Sequence, residues 1–374
     1  MPARNSIRMH LEYKPDWEET KERYRAWWAH EYFGRCAISV TAPKADLPPV
    51  PPPPAPARIE DRWLDPDYLR AANEYRLSRT FFGGEALPVW NPGYPGWASH
   101  SCCLGARVEL DEATGWVYPL WEEGALTDYD YRSLVIRPDS PWYVRSQEIL
   151  RLGAAESRGR SLCTIGAFGA TGDTLAQIRG TGKLLLDVAD CPDYVRECDL
   201  YLTRQWMEMY DAYYQIIQPV DEGSTSWFQV WSPGKTYGVQ NDFAYMISPR
   251  TFQEVFLPSL ELQLEFLDHP IYHVDGEGNF RHVDTLCQLG RLPALQILPG
   301  SGKPSPLHYL DVLRRVQAAG KNLHITIPPE EVEPALELLS ARGLFIDTWC
   351  RTEEEARTLL KNCERWSRES NGPG

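Results

Sequence analysis

The sequence predicts an α/β protein, a (β/α)8 TIM barrel with N-terminal helical and hairpin additions. Three observations support this. Short apolar runs of strand type begin near residues 36, 87, 161, 225, 271, 294, 323 and 344. Helices, or insertions long enough to hold one, separate them, as an eightfold barrel requires. The 374 residues exceed one small core and suit a single large barrel over 1–374. A doubly wound sheet would use the same alternation.

In chain order, Asp16 to His30 reads as a helix with Trp17, Tyr24, Trp27 and Trp28 among its bulky members, within an N-terminal helical extension over 1–35. Cys36 to Val40 is the first strand. Residues 43–58 are proline-rich, a polyproline II surface loop without ladder bonds; the other reading is a ligand for a partner's aromatic groove. Leu69 to Phe82 is helical, and Leu87 to Trp90 a strand. Asn91 to Trp97 is a rigid loop dense in aromatics. It opens a rim insertion over 91–125, with hairpin character from Leu104 to Trp121.

From residue 140 the alternation is regular. Trp142 to Ala155 is a helix and Ser161 to Ile165 a strand. Gly166 to Asp173 then carries three glycines, but their spacing fits neither a P-loop nor a dinucleotide fingerprint. Pro192 to Ile217 is a long helix and Thr225 to Trp231 a strand. Ser248 and Pro249 start another helix as N-cap and first residue. The last strands are Ala294–Leu298, Leu323–Ile327 and Leu344–Cys350, followed by helices from Leu307, Glu331 and Thr352.

Composition narrows the function classes. A net charge of −14 argues against a nucleic-acid surface. No apolar run reaches the 18 residues of a membrane span, and residues 1–20 lack the apolar stretch of a secretory signal. The nine cysteines have no framework spacing, so reduced thiols and a cytoplasmic location are expected. With 14 Trp and 19 Tyr, the chain can line a pocket for flat or sugar-like ligands as well as fill a core.

The chemistry concentrates in Pro270-Ile271-Tyr272-His273-Val274-Asp275-Gly276-Glu277-Gly278. An apolar strand delivers His273, Asp275 and Glu277 to its C-terminal tip, where α/β proteins keep their sites. If fully extended, the three side chains share one face. They form either a ligand site or a hydrogen-bonded network at the rim. Asp242 follows another expected strand tip and can bind polar substrate groups or close an Asx-turn. Asp347 and Trp349 lie at the end of the last strand. Trp90, Trp97, Trp231 and Tyr237 fall at or near expected strand tips, where they would wall an aromatic substrate pocket. His324, near a strand's start, reads as structural.

The second half resembles the uroporphyrinogen decarboxylase superfamily. The resemblance rests on Ser248-Pro249-Arg250-Thr251-Phe252 through Pro258, on Tyr272-His273-Val274-Asp275-Gly276, and on the Gly343 to Leu360 segment; it runs from about residue 160 to 365. Two departures matter. The decarboxylase proper carries R-Q-A-G-R for its polycarboxylate substrate; here only Gly34-Arg35-Cys36 stands, so haem biosynthesis is not expected. The zinc- and corrinoid-linked methyltransferase branch uses H-x-C and a second Cys about 75 residues later. Here His273 and Cys350 match, and Asp275 replaces a cysteine.

The resemblance thus implies a zinc site of His273, Asp275 and Cys350, with methyl transfer to or from a corrinoid supplied by a partner protein. Asp242, Asp275 and Glu277 alternatively serve as acid–base groups of a metal-free decarboxylase, lyase or carbohydrate-active enzyme. A non-catalytic binding protein on the same scaffold is the third reading. The expected substrate is a small molecule at the barrel's C-terminal mouth.

Overall fold

The structure is a computed structural model that describes residues 11–93, 99–169 and 171–369. Its strands are β1 (Ala37–Pro43), β2 (Thr80–Gly84), β3 (Val89–Trp90), β4 (Arg107–Leu110), β5 (Gly115–Tyr118), β6 (Leu162–Cys163), β7 (Ser224–Thr225), β8 (Trp231–Ser232), β9 (Thr236–Gln240), β10 (His269–Asp275), β11 (Ala294–Leu298), β12 (Asn322–Thr326) and β13 (Leu344–Trp349). Seven form one sheet in the order β2-β1-β13-β12-β11-β10-β9. Its pairs are parallel except β1–β2, which is antiparallel.

This is a mixed α/β fold, but the sheet is not closed. β3 pairs with β6, β4 with β5 and β7 with β8 in separate two-stranded pieces. The runs expected near residues 87, 161 and 225 form only two residues of ladder each. The hydrogen bonds therefore do not draw the eight-stranded closed barrel that the sequence suggests. The predicted hairpin in the rim insertion is β4–β5.

Three segments depart from expectation. Thr225 to Trp231 is not one strand: β7 turns back into the antiparallel β8. Thr236–Gln240, outside every strand expected from the sequence, is a full strand beside β10. Thr80–Gly84, read as the end of a helix, pairs with β1.

Alternation along the parallel strands builds two cores. Ile38, Val40, Leu295, Ile297, Leu323, Ile325, Leu344 and Ile346 belong to the larger core cluster, which includes residues of the surrounding helices. The opposite parity places Ala37, Ile271, Ala294 and Phe345 in a second cluster with Trp17, Tyr24, Trp27 and Trp28 of the helix Trp17–Trp28. That helix covers the N-terminal ends of the strands. Trp27 Nε1 donates to Gly343 O at 3.0 Å, and Trp28 Nε1 to Trp231 O at 2.9 Å. The tryptophans of this helix are thus structural: they fill volume, and the N–H groups of Trp27 and Trp28 find carbonyls.

Candidate functional site

One layer further along the same strand face, the side chains turn polar. His273 on β10, Gln296 on β11, His324 on β12 and Asp347 on β13 form a continuous chain. His273 Nδ1 lies 2.5 Å from Gln296 Oε1, Gln296 Nε2 lies 2.8 Å from His324 Nδ1, and His324 Nε2 lies 2.9 Å from Asp347 Oδ2. His324 is fully buried, and His273 and Gln296 nearly so. Such a network is retained only if each member is satisfied, and these rings and this amide are.

At the open end of that chain, Asp242, His273 and Asp275 converge. One ligand atom from each lies within 4.8 Å of the others, and Nε2 of His273 is 4.0 Å from Asp275 Oδ2. Strand alternation puts His273 and Asp275 on one face. Asp242 arrives because Gln240 is the register partner of His273, and Asn241 then caps a 3-10 turn by accepting from Ala244 N. Asp173, in the first turn of helix Thr171–Arg179, holds this segment in place. It accepts from Phe243 N at 3.1 Å and from Gln240 Nε2 at 3.0 Å, and the same amide nitrogen is 3.0 Å from Asp242 Oδ2. The glycine loop before Asp173 therefore leads to a structural carboxylate beside the site.

The electrostatics are one-sided. Among the described residues, none of Asp173, Asp242 and Asp275 forms an ion pair with a lysine or arginine, and Asp275 Oδ1 is buried without a hydrogen-bond partner. The Asp242 carboxyl is pushed up to about 8, first by removal from water, then by Asp173 and Asp275. Water still reaches the residue from one side. The like charges are the part of the cause that this access leaves in place. Burial likewise raises Asp173. Burial lowers His273, with Gln296 and Asp275 opposing and His324 assisting, so its imidazole is neutral near neutral pH.

Two aromatic rings support the histidines. Trp227 and Phe228, on the loop between β7 and β8, meet His273 edge-on at 5.1 and 5.5 Å, and Phe228 meets His324 at 5.9 Å. Phe228 fits because the facing residue is Gly238, where an added Cβ would lie 1.9 Å from its ring.

Several expectations need correction. Cys350 is not part of the cluster. It has the parity of Ile346 and Thr348, lies in the core that includes residues of helix Glu353–Glu369, and donates its backbone N–H to Thr41 O at 2.8 Å. Glu277 leaves the shared face because Gly276, at φ +81°, breaks the extended strand. Its carboxylate accepts from Tyr309 and pairs with Lys303 at 3.1 Å, which hold it below the usual carboxylate range. Trp231 is core: it meets Trp17 edge-on and donates to Asp221 O. Trp90 is buried against Gly153, and Tyr237 meets Phe168, Trp206 and Tyr210 edge-on in the core. Trp349 is 56% exposed at the tip of β13, on the parity of Asp347. Trp97 lies outside the described residues.

Arg35 is also structural. Its guanidinium grips Glu85 through two hydrogen bonds of 2.7 Å, so it is not free to hold a substrate carboxylate. Sequence reasoning missed Asp173, Gln296, Trp227 and Phe228, and it set His324 aside. A signal existed for two of these. Leu295-Gln296-Ile297 and Leu323-His324-Ile325 each place one polar residue in the middle of an apolar strand.

No protein-family model matches the chain, and no curated protein matches it. The chemistry must be read from the site's own residues.

Proposed function

We propose that the chain is a divalent-metal-dependent enzyme acting on a small, oxygen-bearing substrate. Asp242, His273 and Asp275 would hold the ion at the C-terminal mouth of a (β/α)8-type barrel. The observation that carries this reading is the convergence of two carboxylates and one imidazole, with no described basic side chain to balance them, while the other oxygen of Asp275, Oδ1, is buried without a donor. A buried acceptor without a donor costs about 1–3 kcal/mol, and neighbouring carboxylates repel. A cation relieves both.

The donor set fits. Imidazole and carboxylate are ordinary zinc ligands, and carboxylate oxygens suit manganese and magnesium as well. A bound ion would polarise a carbonyl or carboxylate oxygen of the substrate, or acidify a coordinated water. The protein's share is to keep His273 neutral by burial, to orient Asp242 through Gln240, and to exclude water behind the imidazole with Trp227 and Phe228. Decarboxylation or a related lyase step uses these features best, because it needs charge stabilisation on oxygen and a nearby proton carrier.

A metal-free reading has its own support. Asp242, its carboxyl pushed upward by burial and by Asp173 and Asp275, and neutral His273 would then form an acid and a base within 4.8 Å. Zinc-centred methyl transfer with a partner-borne corrinoid draws less support. No described thiol joins the cluster, and an oxygen-rich set makes a harder site.

Equilibrium dialysis of chelator-stripped protein against Zn2+, Mn2+ and Mg2+ tests the proposal. Binding of about one ion per chain, lost in His273→Ala and Asp275→Asn, supports it. Full activity in excess chelator would favour the metal-free pair instead.

A further inference from the structure

We infer that Asp347, which is not part of the carboxylate cluster, is a positioning residue that decides which nitrogen of His273 meets the cluster bare. The inference rests on reading Asp242, His273 and Asp275 as the working site, and it follows from counting donors and acceptors along four strands.

An ionised carboxylate only accepts hydrogen bonds. Asp347 Oδ2 is 2.9 Å from Nε2 of His324, so that nitrogen carries the proton. A neutral imidazole has a single N–H, so Nδ1 of His324 must accept. Its partner at 2.8 Å is the Gln296 side-chain nitrogen, which donates. The amide is thereby oriented, and its oxygen faces Nδ1 of His273 at 2.5 Å. An amide oxygen cannot donate, so His273 holds its proton on Nδ1. Nε2 is left with a free lone pair, directed to the side of Asp275.

One fixed acceptor at the far end thus sets each link. The reverse arrangement would need His324 as an imidazolium, donating from both nitrogens and turning the amide round. Solvent cannot substitute for a link, because His324 is 0% and Gln296 8% exposed. Nor can the rings turn over freely, with Trp227 against His273 and Phe228 against both histidines. A metal-ligating histidine usually has its other nitrogen pinned in this way, and loss of the pin costs about 10–100-fold in metal affinity. Here the pin is relayed through an amide and a second imidazole before it reaches a charge.

The test is nitrogen NMR of the full-length, metal-free chain labelled in histidine, with the His273 signals assigned from the His273→Ala spectrum. The expected wild-type state is protonated Nδ1 and bare Nε2. In Asp347→Leu, and separately in Gln296→Met, the proton is expected on Nε2 in a substantial fraction of molecules. Zn2+ binding is expected to weaken about 10–100-fold in both, with the three ligands untouched. A wild-type spectrum showing the proton on Nε2 would overturn the inference, whether or not any variant folds. An unchanged His273 tautomer in Asp347→Leu would overturn it too. If the wild type shows bare Nε2 but binds no ion, the metal reading fails while this inference stands.

Discussion

Gln240 on β9 and His273 on β10 are register partners, and this places Asp242 level with Asp275 at the strand ends. The cluster is therefore a consequence of one parallel pairing. Asp242 repels its neighbours in the metal-free protein, so Asp242→Asn should keep or raise the thermal midpoint measured in chelator. The same variant should lose the midpoint increase that wild type gains from Zn2+ or Mn2+. Differential scanning calorimetry with and without metal reads both. A falling midpoint in chelator would show that Asp242 is a structural carboxylate.

His324 offers a different outcome, since it has partners on both sides. His324→Phe would remove the partner of the Gln296 amide nitrogen and of Asp347 Oδ2, while the amide oxygen keeps its bond to His273. We expect a loss of about 1–3 kcal/mol in urea unfolding, the cost of leaving the buried amide nitrogen of Gln296 unpaired. Adding Gln296→Leu should deepen the loss, because it also removes the acceptor of His273 Nδ1. A single variant as stable as wild type would mean that water reaches the network.

How much of this was legible in the sequence follows from strand periodicity. His273 and Asp275 stood out because an apolar strand ending in polar residues signals its own face. Cys350 misled because spacing along the chain says nothing of parity: two positions before it, Thr348 already faces away from Asp347. Glu277 would have shared the face of Asp275 but for the positive φ of Gly276. Trp231 was misplaced because Thr225 to Trp231 has strand-like composition yet folds as a hairpin, and tertiary context sets that choice. β9 was hidden because Gly238 sits at its centre, where the inserted Phe228 ring leaves no room for a side chain.

Glu85 tests the assignment of Arg35 to structure. It is fully buried and holds Arg35 by two bonds of 2.7 Å and Arg23 at 2.5 Å. Burial alone would raise its carboxyl, but Arg35, Arg23 and the Ile38 N–H outweigh burial and hold it at about 2. Its folded pKa lies below the unfolded value. The stability it contributes is therefore present above about pH 4.5 and is lost as pH falls towards 2. Glu85→Gln strands a buried cation and should cost about 3–5 kcal/mol at pH 7. Chemical denaturation of both proteins at pH 7 measures the difference; a loss under about 1 kcal/mol would place Arg35 in solvent.

Asp199 has the opposite sign. It lies on the buried face of helix Pro192–Asp221, accepts from Ser259, and leaves Oδ1 without a partner. Burial, and then Asp173, push its carboxyl up to about 8, with the Ser259 hydrogen bond opposing. A folded pKa above the unfolded one means stability is full below about pH 4 and is lost as pH rises towards 8. Asp199→Asn removes this slope. Between pH 5 and pH 8, wild type should lose on the order of 3–5 kcal/mol relative to the variant. Parallel pH dependences would show that Asp199 is ionised throughout.

The most direct measurement is anomalous scattering from crystals soaked in Mn2+ or Zn2+. The expected result is a single strong peak bounded by Asp242, Asp275 and Nε2 of His273, at ligand distances of about 2.0–2.2 Å. A peak bound elsewhere, or none at saturating metal with Nε2 of His273 facing only water, would contradict the metal-centred reading of this site.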